Sequence, residues 1–160
     1  MSHDAEDRLA ATRDVGAAGD SIEIEVSITR EPRAVWRAIV DAAERRRWWS
    51  YCDLDARLGG RFEERWQNDR GAVTLTHGAI EAINLERRLE LSWRDEDWAA
   101  PTRVVLELTP EAGGTLVRVR HSGWQAIEGE RRELRDAHRK GWIHHLANLK
   151  TFVEWPATAA

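Results

Sequence analysis

The sequence predicts an α+β fold: a curved antiparallel sheet of six to seven strands around one long C-terminal helix, with two short helices between the first and second strands. Three observations predict it. First, RRELRDAHRKGWIHHLANLKTFVEW, from Arg131 to Trp155, sets Leu134, His138, Trp142, His145, Leu146, Leu149, Phe152 and Val153 at three- and four-residue steps, the pattern of a helix that hides one face. Second, short alternating segments separated by glycine turns fill the chain's middle, as in a meander. Third, helical spacing breaks in directly after the first strand. A meander curls when one of its faces must wrap a single apolar helix.

Taken in order, residues 1–20 are small and polar, with Gly16 and Gly19 near the end, and read as a disordered or loosely attached arm. SIEIEVSIT alternates from Ser21, with Ile22, Ile24, Val26 and Ile28 on one face, a half-buried strand. Pro32 suits a first helical turn, and Val35, Trp36, Ile39 and Val40 follow at helical spacing. Asp41 to Trp49 reads as a second brief helix closed by Trp48 and Trp49. In LDARLGGRFEERW, Gly59 and Gly60 suggest a tight hairpin turn with positive backbone angles between Leu54–Leu58 and Arg61–Trp66. After a turn at Asn68–Gly71 comes a strand from Val73 to about Asn84, with Gly78 as a candidate bulge. Leu89, Leu91 and Trp93 share a face of the next strand; Val104, Leu106 and Leu108 alternate in the one after; PEAGG turns into a strand with Val117, Val119 and His121 on one face. The long helix ends at Trp155-Pro156. The expected organisation is one domain over residues 21–156 with a tail at 157–160.

Composition narrows the function classes. A chain of 160 residues that is 42% hydrophobic and 32% charged can bury one real core. A net charge of -4 gives no general reason to hold nucleic acid, and Arg45, Arg46 and Arg47 together read as a solvated helix surface. The single cysteine, Cys52, excludes an intramolecular disulfide, and the acidic N-terminus lacks the pattern of a signal peptide. No membrane span is expected, and a cytoplasmic location follows as the expectation. Nine tryptophans against two phenylalanines and one tyrosine is the unusual number. Indoles line cavities as well as cores, because each brings a large apolar face and one N–H that needs a partner.

In this order, REPRAVWRAIVDAAERRRWW, LGGRFEERW, HGAIEAINLERRLELSW, GGTLVRVRHSGW and KGWIHHLANLKTF resemble the START-like, or SRPBCC, superfamily of helix-grip folds, and within it the heat-shock protein 90 ATPase activator-like group. The resemblance spans about Ile22 to Trp155. It implies a sheet gripping the C-terminal helix, two small helices closing one end, and an elongated hydrophobic cavity between sheet and helix. Where many relatives carry an apolar residue between two aromatic positions after GGR, this chain has Glu64 between Phe62 and Trp66.

Strand alternation then collects Phe62, Glu64, Trp66, Leu89, Leu91, Trp93, Val117, Val119 and His121 on the concave surface, with His77 beside the expected bulge. Trp48, at the end of the second short helix, joins them as a candidate ligand-binding residue. The long helix adds Trp142, His145, Leu146 and Leu149, with Gly141 allowing close approach to the sheet. An apolar surface with a few polar groups is the usual makeup of a small-molecule site, although the same side chains can interlock as core. An inward Glu64 needs a partner such as a histidine or arginine, or water; a bulge would turn it outward instead. The histidines lack metal-ligand spacing, and no metal or cofactor is expected. The leading expectation is therefore binding of a small hydrophobic or aromatic molecule. A cyclase- or hydrolase-like enzyme using Glu64 and His121 is the first alternative, by analogy with polyketide cyclases and aromatases of the superfamily. A chaperone-associated or stress-response role, implied only by the family name, is the second.

Overall fold

The computed structural model describes residues 12–15, 21–67, 70–127 and 131–155. Its elements are β1 (Thr12–Asp14), β2 (Ile22–Ile28), α1 (Pro32–Val40), α2 (Ala42–Trp48), β3 (Cys52–Leu54), β4 (Arg61–Gln67), β5 (Val73–Asn84), β6 (Arg88–Asp95), β7 (Thr102–Glu111), β8 (Gly114–Ser122), a 3-10 turn at Trp124–Ala126, and α3 (Arg131–Glu154). The strands form one antiparallel sheet in the order β1-β2-β8-β7-β6-β5-β4-β3. The α+β architecture with a curved sheet around a C-terminal helix is the one the sequence predicts.

Alternation makes the sheet's inner face. One transverse row joins Ile83, Leu89, Leu106, Val119 and Ile24 across five strands. The four apolar residues of β2 expose no more than 1% of their surface. Such a continuous apolar surface must be covered, and α3 covers it with Trp142, Leu146, Leu149 and Val153. Between β2 and β3 the chain crosses from one side of the sheet to the other through α1 and α2. Pro32 opens α1, and Asp41 both ends α1 in extended geometry and caps α2 by accepting the Glu44 N–H. Among the described residues no helix is long and apolar enough to cross a membrane.

The structure differs from the sequence reading in four places. Within the segment expected to be a loose arm, Thr12–Asp14 adds an eighth strand, in which Arg13 lies opposite Glu25 and forms an ion pair with it. Residues 1–11, 16–20, 68–69 and 156–160, which include the rest of that arm, part of the Asn68–Gly71 turn and the tail, lie outside the described residues. The strand before the glycine pair is only Cys52–Leu54, so the connection to β4 is a longer loop: Gly59 has φ 77°, whereas Gly60 is demanded by a close approach, since a Cβ there would fall 1.9 Å from the Asp55 carbonyl oxygen. The irregularity in β5 lies between Ile80 and Ala82, leaving Gly78 in register opposite Phe62. Finally, Arg46 and Arg47 are exposed, but Arg45 is buried. Its guanidinium donates to the carbonyls of Ile39, Val40, Cys52 and Leu54, so it ties α1, α2 and β3 together from inside.

Candidate functional site: an indole-walled cavity

A cavity of about 220 Å³ lies between the N-terminal half of α3 and the β4 side of the sheet. Helical spacing brings Ala137, His138, Gly141, Trp142 and His145 to one of its walls. The inward positions of β4 supply Glu64 and Trp66, β6 supplies Trp93, and the segment after α2 supplies Trp49 and Tyr51. A smaller apolar void of about 30 Å³, room for about one water, lies deeper and is lined in part by Trp48, Phe62, Leu91, Leu146 and Leu149. Trp49, Trp93, Trp142 and His145 border both spaces and stand between them. The elongated cavity implied by the family resemblance is thus divided by aromatic rings.

Glu64 faces inward with the partners that an inward carboxylate requires. Its Oε2 accepts the indole N–H of Trp49 and lies 3.2 Å from His145 Nε2. Trp49 and His145 are themselves in ring contact, with centroids 4.3 Å apart. On the same strand as Glu64, Trp66 donates to Thr76 Oγ1 of β5 at 3.2 Å, and Thr76 in turn donates to Asp95. Burial raises the Asp95 carboxyl above its ordinary range, against the lowering effect of the Thr76 bond.

Two more indoles are anchored by histidines. Trp93 donates to His138 Nε2 at 3.3 Å, which leaves His138 Nδ1 to donate to the Leu134 carbonyl at 2.8 Å. Trp142 donates to His121 Nδ1 at 3.1 Å. Because Thr102 Oγ1 donates to the Trp93 carbonyl, it accepts from His121 Nε2 at 2.6 Å. This network assigns His121 the neutral Nε2–H tautomer. Burial lowers its pKa well below the ordinary value, and His138 nearby adds to the shift.

Of the residues singled out from sequence, Glu64, Trp66, Trp93, Trp142 and His145 meet at the larger cavity, and Trp48, Phe62, Leu91, Leu146 and Leu149 at the smaller void. His77, Val117, Val119 and His121 do not join either wall. His77 is exposed, because regular pairing at Gly78 leaves it on the outer face. Val119 and His121 do face inward, but both are fully buried and border neither space. His121 therefore does not face Glu64 across a cavity, and both its ring nitrogens are already committed. Gly141 also acts differently from expectation: a Cβ there would meet nothing within 4 Å, so it widens the cavity rather than permitting close packing.

Trp49, Tyr51 and His138 also line the larger cavity, although the sequence reading does not include them in the candidate site. Trp49 follows α2 with φ -137° and ψ 73°, a departure from helical geometry that helical spacing cannot anticipate. The WW pair was its only signal. Cys52 is buried and its thiol is pushed up by burial, so it is no nucleophile.

Comparison with known proteins supports the same architecture. Protein MLL2253 from Mesorhizobium loti superposes with a TM-score of 0.67 at 22% identity, over 84% of this chain and 96% of that one. CalU16 from Micromonospora echinospora gives 0.68 at 26% identity, over 84% and 74%. Protein Ms6760 from Mycobacterium smegmatis gives 0.74 at 14% identity, over 91% and 98%. Among curated proteins none matches significantly. The family model for Activator of Hsp90 ATPase homolog 1-like protein matches residues 29–154, most of the chain. The chain belongs to that family.

Proposed function

We propose that the chain binds a small, largely aromatic molecule in the cavity between α3 and β4. The observation that carries this reading is the wall itself: four tryptophans and Tyr51 around about 220 Å³ of space, with Gly141 leaving one side of the helix bare. Apolar walls with a few placed polar groups are the ordinary composition of a ligand site. The volume is below the roughly 300 Å³ at which pockets for drug-sized molecules begin, so the occupant is small. Acid–base chemistry through Glu64 and His121 loses its support, since those side chains do not share a space. The chaperone reading rests on the family description alone.

Gly141→Leu provides the test. A Cβ at this position has open space around it, so the leucine side chain is directed into the cavity, and replacing a helical glycine favours the helix by up to about 1 kcal/mol. Titration of the protein with small aromatic compounds should quench or shift indole fluorescence saturably, and Gly141→Leu should abolish that response with an unchanged or raised melting temperature. A variant that binds as the parent does would place the ligand elsewhere.

A further inference from the structure

We infer that the preferred ligand is a protonated aromatic amine, an arylalkylammonium ion held by the indole walls and Glu64. This rests on the binding reading above and names the chemical class that the same cavity selects.

The inventory of donors and acceptors around the cavity carries it. Each of the four indole N–H groups is committed to a protein acceptor: Trp49 to Glu64, Trp66 to Thr76, Trp93 to His138 and Trp142 to His121. Both nitrogens of His138 are in use, and His145 Nε2 is turned to Glu64. The indoles therefore offer a ligand their π surfaces and no N–H. Tyr51 and Arg65 also border the space, but both are exposed, and Arg65 belongs to the outward alternation of β4. A ligand carboxylate or carbonyl placed among the indoles finds no indole donor there.

What it does find is an acceptor. Glu64 is only 7% exposed, and it lines the cavity. Both contacts to it use Oε2, and among the described residues no hydrogen bond reaches Oε1. An ionised carboxylate can only accept, and Oε1 is not among the fully buried atoms that lack a partner, so it remains accessible. An ammonium group fills that position with a charge-assisted bond, while its positive charge is attracted to the negative faces of the surrounding indoles. A neutral hydroxyl could make the bond but not the attraction; a carboxylate would be repelled by Glu64. The aromatic remainder of the ligand occupies the apolar part of the wall.

Matched probes test charge separately from binding. Tryptamine, tryptophol and indole-3-acetate carry an ammonium, a hydroxyl and a carboxylate on the same indole, and calorimetric titration at neutral pH avoids interference from their fluorescence. Tryptamine should bind at least about tenfold more tightly than tryptophol, with indole-3-acetate weakest. Glu64→Gln, which keeps an acceptor for Trp49, should bring tryptamine to the level of tryptophol, with tryptophol, whose hydroxyl also bonds the carboxylate, losing less than tryptamine does, and with a melting curve to verify folding. Equal or tighter binding of tryptophol or indole-3-acetate to the parent protein overturns the ammonium proposal while the binding reading stands. Persistence of the tryptamine preference in folded Glu64→Gln overturns the role given to the carboxylate. Absence of binding by all three probes, together with no small aromatic compound distinguishing the parent from Gly141→Leu, overturns both.

Discussion

His121 joins the sheet to α3 through one fixed tautomer. Protonation of Nδ1 would set a new N–H against the Trp142 N–H, so the folded protein holds this ring neutral, as its lowered pKa requires. The unfolded chain takes up that proton near pH 6.5, the ordinary value, before the folded one can. Stability from this group is fully present above pH 6.5 and declines as pH falls, by up to about 1.4 kcal/mol per pH unit, until the folded pKa is reached. Denaturant titrations at pH 7.5, 6 and 5 should show this slope, and His121→Gln should be less stable at pH 7.5 but lose stability less steeply on acidification. Residue by residue, the sequence conveyed some roles and concealed others. The inward placement of Glu64 follows from strand alternation and its need for a partner from electrostatics; which histidine supplies the contact does not follow. His121 shows why: alternation states which face a side chain takes, whereas cavity or core depends on neighbours from distant segments, here Thr102 and Trp142. Arg45 was misread for a related reason. Its carbonyl partners on α1 and β3 are assembled only by the tertiary fold.

Among the elements, β5 owes its part in the site to a missing side chain. Phe62 on β4 and Trp93 on β6 stack with centroids 4.9 Å apart although β5 runs between their strands. Gly78, opposite Phe62, presents nothing to keep them apart, and a Cβ added there would fall 1.8 Å from the Ser92 carbonyl oxygen. Gly78→Ala should therefore destabilise the protein by about 3 kcal/mol, the upper end of overpacking costs, and alter the near-ultraviolet circular dichroism of Trp93. The helix α3 is likewise two functional halves. At its C-terminal end, Glu154 accepts the Thr29 N–H, Lys150 donates to the Ser27 carbonyl, and Arg30 donates to the Val153 carbonyl, clamping it to the end of β2. Burial alone would raise the Glu154 carboxyl, but the hydrogen bonds from Lys150 and Thr29 outweigh it and hold it below its usual range. The N-terminal half borders the cavity. Periodicity located this helix and most strands, because burial of one face imposes a repeat on the sequence; it could not locate β1, whose three residues are too few to show one and whose partner for Arg13 lies on β2.

For the molecule as a whole, the architecture was legible because strand alternation, the abrupt change to helical spacing at Pro32 and the final apolar helix are each local signals that agree. The division of the interior was not, since it depends on ring orientations set by hydrogen bonds between segments far apart in sequence. The unbroken sheet and the single core beneath α3 predict one cooperative unfolding transition, with indole fluorescence and far-ultraviolet circular dichroism giving the same midpoint; separate midpoints would mark independently stable parts. The order of the strands has another consequence. Among the described residues the outermost positions are held by β1 and β3, each of three residues, while the long strands lie between them. A passing chain seeking to extend the sheet meets only short templates with few free backbone groups, a geometry that discourages strand-by-strand aggregation even though the interior strands are rich in β-branched residues.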